Sequence, residues 1–354
     1  MAAASGNRFC ANTSERFTNN FDFLRIVAAT CICFTHSFNL ISQNAAEPLM
    51  HLTGQRYDFS FVGLCIFFTI SGFLITKSVY SSSSILSYLW KRFLRIQPLL
   101  IVVCIITVFV LGPVFTNLSV SSYFGNKATY TYFRNIFPAT GIQFELPGVF
   151  ANNFHPGSVN GSLWTLIVEE RLYLLVGTFI FFRTFKRAFA VAILLLNIVL
   201  LLQAHLFPSE LQAYLQGSHI FYAMLFLNAG AFYQMSMEFH SFSKKWSLLI
   251  GPVLLAVLLF VPGLHFLLPI VIPFVVLQFA HVKSPMNMAG QWGDFTYGLY
   301  IFAFPVQQML IAGGIFTENP YALFLTTMAI NLPLAVGSWH MIEKRCLQLK
   351  GRVA

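Results

Sequence analysis

Apolar runs long enough to cross the hydrocarbon core of a bilayer, about 20 residues each, recur along almost the whole chain. They lie near 22–42, 59–77, 98–115, 163–182, 188–206, 218–236, 246–262, 264–281, 295–314 and 321–340. A chain patterned this way has lipid as its solvent, and each run must satisfy its own backbone polar groups by coiling into a helix. Composition agrees: 57% of the 354 residues are hydrophobic and 9% are charged, against about 25% charged in a soluble protein. A water-soluble domain is excluded. The expected fold is an all-α integral membrane protein of about ten transmembrane helices. The run at 264–281 is the weakest of the ten, because Pro269 and Pro273 interrupt it and Val261-Pro262-Gly263-Leu264 barely separates it from its predecessor.

Ten crossings put both termini on one side, and the basic residues decide which. With the N-terminus inside, 17 of the 21 Lys and Arg fall on the cytoplasmic side. Arg56, Lys127 and Arg134 face outward, and Arg171 lies within a run. This asymmetry predicts cytoplasmic termini. It also accounts for the net charge of +9 without a nucleic-acid partner. Residues 1–20 form a polar N-terminal segment with no apolar stretch of a signal peptide, so the first helix is expected to deliver the chain. Residues 21–345 make one transmembrane domain, and 346–354 a cytoplasmic tail.

Two segments do not simply cross. In 81–97, SSSSILSYLWKRFLRIQ, the apolar residues Ile85, Leu86, Leu89, Phe93 and Ile96 recur every three or four positions with Lys91, Arg92 and Arg95 between them. That pattern predicts a cytoplasmic interfacial helix stopped at Pro98. The outer stretch 116–160, rich in Tyr, Phe, Asn, Gly and Pro, is too long for an idle connection and is expected to be ordered.

Ionisable residues inside an apolar run cost about 2.5–3.5 kcal/mol each on insertion scales, which makes each a candidate functional group. The first run carries Asp22, Arg25 and His36. Eleven residues rotate a helix by about 1100°, roughly 20° past three turns, so Arg25 and His36 share a face about 16.5 Å apart along the axis. In the fourth run Glu169 and Glu170 adjoin Arg171, and neighbouring carboxylates point about 100° apart. Two readings stand there: a structural Glu–Arg pair, or a carboxylate that orients or deprotonates a catalytic imidazole. Arg92 and Arg95, one turn apart, make a donor fork suited either to a bound phosphate or to anionic lipid head groups. His51, His155, His205, His219, His240, His265, His281 and His340 form no pair at metal-ligand spacing on a shared helix face, and the six cysteines suggest neither zinc nor a disulfide framework.

Four motifs occur in order. The first is FDFLRIVAATCICFTHSF, holding Arg25 and His36. The second is FFTISGFLITKS at 67–78, followed by KRFLRIQP. NGSLWTLIVEERLYL at 160–174 is the third. The last is DFTYGLYIFAFPVQQ at 294–308, closed by WHMIEKR at 339–345. With these motifs the chain resembles membrane-bound acyltransferase family 3, whose members transfer acyl groups, most often acetyl, onto extracytoplasmic glycans. The resemblance implies a ten-helix bundle fed with acyl-coenzyme A from the cytoplasm, with His36 as the essential catalytic residue. It further implies that Arg25 contacts the donor or holds an acidic partner and that Arg92 and Arg95 contact the donor's phosphates. Glu169 and Glu170 match the family's acidic pair, and Ser71 with Gly72 lies where the donor channel is lined. Ala303 departs from the pattern, since many members have a His there, and Thr296 replaces the usual Ser.

The resemblance makes acetyl-CoA the expected donor, with no metal, and a lipid-linked or surface glycan such as lipopolysaccharide O-antigen the expected acceptor. The expected place is a bacterial inner membrane. Asp22, Glu169 or Glu170 is expected to orient the His36 imidazole, which acts as general base or as transient acyl acceptor. Trp164, Tyr173, Tyr297 and Tyr300 are candidate substrate contacts. Tyr123, Tyr130, Tyr132 and Phe133 offer sugar-stacking surfaces or, equally, an interfacial aromatic belt. The competing class is a secondary transporter, which also buries His, Arg and Glu among many helices, although no inverted repeat is visible. Within the acyltransferases, peptidoglycan, lipid and small-molecule acceptors stay open, as does a homo-oligomeric state.

Overall fold

Helices occupy each of the ten apolar runs: α1 Phe21–Asn39, α2 Phe59–Tyr80, α3 Ile85–Ile106, α4 Trp164–Gly177, α5 Lys186–Leu206, α6 Ser218–Gln234, α7 Lys244–Phe260, α8 Leu268–Ala280, α9 Thr296–Ala312 and α10 Pro320–Ser338. The computed structural model describes residues 19–206, 218–235, 244–261 and 264–353. The polar segment 1–18 and the Pro262-Gly263 link lie outside them. Among the described residues no strand forms, only two isolated bridges that pair Thr116 with Val149 and Glu145 with Ser158. Five continuous stretches are long and apolar enough to cross a membrane alone: Phe21–Asn39, Phe59–Tyr80, Ile85–Phe115, Gly161–Gln203 and Pro320–Lys350. The protein is thus an all-helical membrane protein.

Local chemistry sets the helix starts. Asp58 caps α2 by accepting from the Phe61 amide, Ser84 caps α3 through Ser87, and Asn319 caps α10 through Ala322 with Pro320 in the first turn. Buried Asn20 ties the start of α1 to the end of α8, its side chain donating to the carbonyls of Phe279 and Val282 at 3.0 and 2.7 Å. In α8, Pro269 sits in the first turn, where no intrahelical amide is needed, so it begins the helix instead of interrupting it. Helices α4 and α5 run together through a tighter stretch, Thr178–Phe185, that breaks at Phe182.

The interfacial helix expected to stop at Pro98 does not exist as a separate element. Pro98 lies inside α3, which continues through a wide turn at Thr107–Leu111 to Phe115. Proline removes one amide, and flanking Leu94, Ile96, Leu99 and Leu100 are all buried, so packing outweighs the one lost hydrogen bond. Arg92 and Arg95 therefore sit on the first turns of a long membrane helix.

Helix α2 is central, packing against α1, α6 and α8, while α9 packs against α1 and α10. A side chain at Gly72 would collide with the backbone of Phe226, and one at Gly230 would meet Thr76. These i and i+4 positions let α2 and α6 cross closely, as small residues do in lipid. Gly72 is thus fixed by the helix crossing and does not face the cavity described below.

The 116–160 stretch is ordered, as expected, but two of its tyrosines point inward. Tyr123 and Tyr132 are among the largest fully buried side chains, with the Tyr123 hydroxyl donating to the Val108 carbonyl at 3.0 Å. They are core residues and offer no ring face to a sugar. Tyr130 remains exposed, and Phe133 packs half-buried against the core.

Candidate active site

Arg25 and His36, on one face of α1, define the axis of the site. Around Arg25 the helices assemble a charge network. Arg95 on α3 meets Asp294 at 2.7 Å and Glu343 at 3.3 Å, and Arg25 meets Asp294 at 3.3 Å and Asp22 at 3.4 Å. Asp294 is delivered by a turn that only glycine fits, for Gly293 has φ +123° and a Cβ there would strike the Trp339 indole. Glu343 comes from the wide helical turn Trp339–Glu343 that ends α10, a geometry common at functional sites. Burial alone would raise the Asp294 carboxyl, but the guanidiniums of Arg95 and then Arg25 hold it well below the usual carboxylate range.

Beside this network opens a cavity of about 130 Å³. Its wall carries Arg25, Arg92, Arg95, Ser71, Glu169, Tyr173, Tyr297 and Tyr300, together with Thr165, Thr296 and apolar residues of α2 and α3. Eight residues singled out in the sequence thus share one wall although they come from five helices. Glu169 accepts from the Ser71 hydroxyl at 3.0 Å and from the Tyr173 hydroxyl. Tyr300 donates to the Ser162 carbonyl and contacts Thr165. Arg92 lies over the Tyr173 ring. Its Nε and the Tyr297 hydroxyl are buried without a hydrogen-bond partner among the described residues, so both donors can meet a polar ligand in the cavity. Among the described residues Arg92 has no carboxylate partner, whereas Arg95 has two. Lys350, from the turn Gln348–Val353 packed on α3, lies within electrostatic reach of Arg92 and Arg95.

His36 is not on the cavity wall. Its ring meets Phe304 edge-on at 5.3 Å, and Phe304 follows Tyr300 by one turn on the same face of α9. Gly161 makes room for Phe304, since a Cβ there would overlap that ring. No side chain hydrogen-bonds the His36 ring among the described residues. The carboxylates expected to orient it are engaged elsewhere: Asp22 with Arg25, Glu169 with Ser71 and Tyr173, and Glu170 with Gln97 and the Ala139 amide at 2.5 and 2.8 Å. Nor does Arg171 pair with either glutamate; it donates to the Ala139 carbonyl. Glu170 ties α3, α4 and the 138–140 turn together. Trp164 also lies off the cavity, in a separate cleft with Arg56, Asp58 and Tyr222 that shares only Leu64 with the cavity wall.

Asp294 and Glu343 carried no role in the sequence reading, although both fall within its motifs. Charge balance was the available signal: three arginines near one level of the membrane require more carboxylate than Asp22 supplies. Nothing in the sequence places His155, which the fold brings to the far end of α1.

The acyltransferase domain family matches residues 18–339. The O-acetyl transferase of Shigella phage Sf6 is 28% identical over 346 residues, covering 93% of this chain and 96% of that protein. Nodulation protein 10 of Rhizobium leguminosarum bv. viciae is 28% identical over 376 residues, covering 95% of each. No solved structure matches the chain significantly. With the family's match running over nearly all of the helical domain and its motifs meeting around one cavity, the chain belongs to acyltransferase family 3.

Proposed function

We propose that the protein moves an acyl group, most simply acetyl, from acyl-coenzyme A on the cytoplasmic side to a hydroxyl of an extracytoplasmic glycan such as lipopolysaccharide O-antigen. The setting is a bacterial inner membrane crossed ten times with both termini cytoplasmic, as the skewed distribution of Lys and Arg favours. The observation that carries the proposal is the cavity. It gathers three guanidiniums, Arg92 among them with no carboxylate partner among the described residues, and its α9 wall leads by way of Tyr300 to Phe304 and His36. The printed name of the phage relative, O-acetyl transferase, supports an acetyl group and an oxygen acceptor.

In this reading the donor's phosphates meet Arg92 and Arg95 while its thioester arm extends past Ser71 and Tyr297. The acceptor hydroxyl approaches from outside. His36 takes its proton, the oxygen bonds to the acyl carbon, the carbon–sulfur bond breaks, and the proton passes from the imidazolium to the departing thiolate. A two-step route through an acyl-imidazole gives the same balance. Phe304, not a carboxylate, fixes the imidazole.

Mass spectrometry of surface glycan from host cells tests this. Cells carrying the native protein should gain one acetyl per repeat, and cells carrying His36→Ala should not. No acyl gain in either would overturn the glycan acceptor, and full activity in a folded, inserted His36→Ala protein would overturn the role of His36.

A further inference from the structure

At the end of α1 opposite the charge network, a second imidazole is held in place by a built turn. His155-Pro156-Gly157-Ser158 has proline second and glycine third, with Gly157 at φ +79°, the signature of a type II turn. One fully buried side chain, Gln308 on α9, clasps both ends, its amide donating to the His155 carbonyl at 3.0 Å and the Ser158 carbonyl at 2.7 Å. Asn153 donates in turn to the Gln308 backbone and side-chain oxygens at 2.9 and 2.8 Å. The imidazole this turn presents is exposed, and its Nε2 lies 2.7 Å from the Asn39 carbonyl. Asn39 follows His36 by three residues on the same helix face, about 4.5 Å along the axis. The two histidines are within electrostatic reach of one another.

A carbonyl oxygen only accepts, so Nε2 must carry the proton, which leaves Nδ1 of a neutral ring as an acceptor. An exposed hydrogen-bond acceptor, fixed in tautomer and position beside the catalytic histidine, suits a hydroxyl that must be brought up to His36. Resting on the acyl-transfer function above, we infer that His155 binds the acceptor glycan: its Nδ1 accepts a hydrogen bond from an acceptor hydroxyl and aligns the sugar for His36. Three variants separate this from a structural role. His155→Ala removes the ring. His155→Gln keeps an amide donor for Asn39 but places no acceptor where Nδ1 stood. His155→Asn places a carbonyl oxygen there.

The experiment uses the full-length protein in proteoliposomes with radiolabelled acetyl-CoA and surface glycan extracted from the host, measuring transfer to glycan and glycan-independent hydrolysis of acetyl-CoA. His155→Ala and His155→Gln should raise the glycan concentration for half-maximal transfer about tenfold, the worth of one hydrogen bond, with hydrolysis unchanged and His155→Asn recovering part of the loss. Unchanged half-saturation in His155→Ala, or transfer and hydrolysis falling together in all three, would overturn the inference while leaving acyl transfer intact. A native protein that hydrolyses acetyl-CoA but acylates no glycan overturns the glycan acceptor and this inference together. One that does neither overturns acyl transfer itself.

Discussion

The two ends of α1 solve opposite problems. At Arg25, two helices and two turns converge on interlocked opposite charges, with Asp294 shared between two arginines. Around His36 no ion pair forms among the described residues: the support is the Phe304 ring, the Gln307 amide donating to the Cys33 carbonyl at 2.9 Å and to Ser37 at 2.7 Å, the Gln308 clasp, and the buried Glu47 carboxylate, which accepts from the Thr35 hydroxyl at 3.3 Å and the Phe59 amide at 2.9 Å. A polyanionic donor calls for cations that stay charged, and in lipid such cations need carboxylates beside them. A hydroxyl calls for a base whose lone pair no neighbouring group occupies. Under the proposed function the ion-paired end would bind the donor and the His36 end would carry out the transfer.

Breaking the charged end should have the largest effect. Asp294→Ala leaves two partly buried guanidiniums short of compensation and should cost about 3 kcal/mol or more, seen as early thermal unfolding in detergent. Arg92→Ala sharpens the contrast. Because Arg92 pairs with no carboxylate among the described residues, its loss should cost unfolding stability only its contact with the Tyr173 ring, about 0.5–1 kcal/mol, yet raise the acetyl-CoA KM about ten- to hundredfold, the range for a hydrogen bond to a charged group. Arg95→Ala should show both losses. At the His36 end, Gln307→Ala removes hydrogen bonds from buried Ser37 and the Cys33 carbonyl, which should cost about 1–2 kcal/mol with no dependence on salt. The smallest effect concerns pH. Since the Asp294 carboxyl is depressed, its stabilisation is complete above the usual carboxylate pKa of about 3.9 and is lost only as pH falls through the lower folded value. Its share of thermal stability should therefore stay flat between pH 7 and 5, and Asp294→Asn should abolish its part of the decline at lower pH.

Helix positions were legible because apolar length in lipid admits few alternatives. The alignment of Arg25 with His36 was legible because helical periodicity is rigid over three turns. What misled was local grammar read without packing. Pro98 looked like a terminus but sits within α3, because buried neighbours on both sides hold the helix together. Tyr123 and Tyr132 looked like surface rings, yet the 116–160 stretch folds over them. Glu169 and Glu170 were assigned to His36 by chemistry alone, whereas their partners on α2, α3 and the 138–140 turn depend on how distant segments dock. The Asp294–Arg95 and Glu343–Arg95 pairs bridge about 200 and 250 residues of chain, a separation no spacing rule reaches, and His155 owes its place to a glutamine 153 residues away.

The central claim, that donor enters at the arginine end and reacts at His36, is tested most directly in sealed vesicles of known orientation given acetyl-CoA on one face at a time. Free coenzyme A thiol should appear only when acetyl-CoA is supplied on the face nearer Arg92 and Arg95, and not with His36→Ala. Thiol released equally from either face, or undiminished release by a folded His36→Ala protein, would contradict the account.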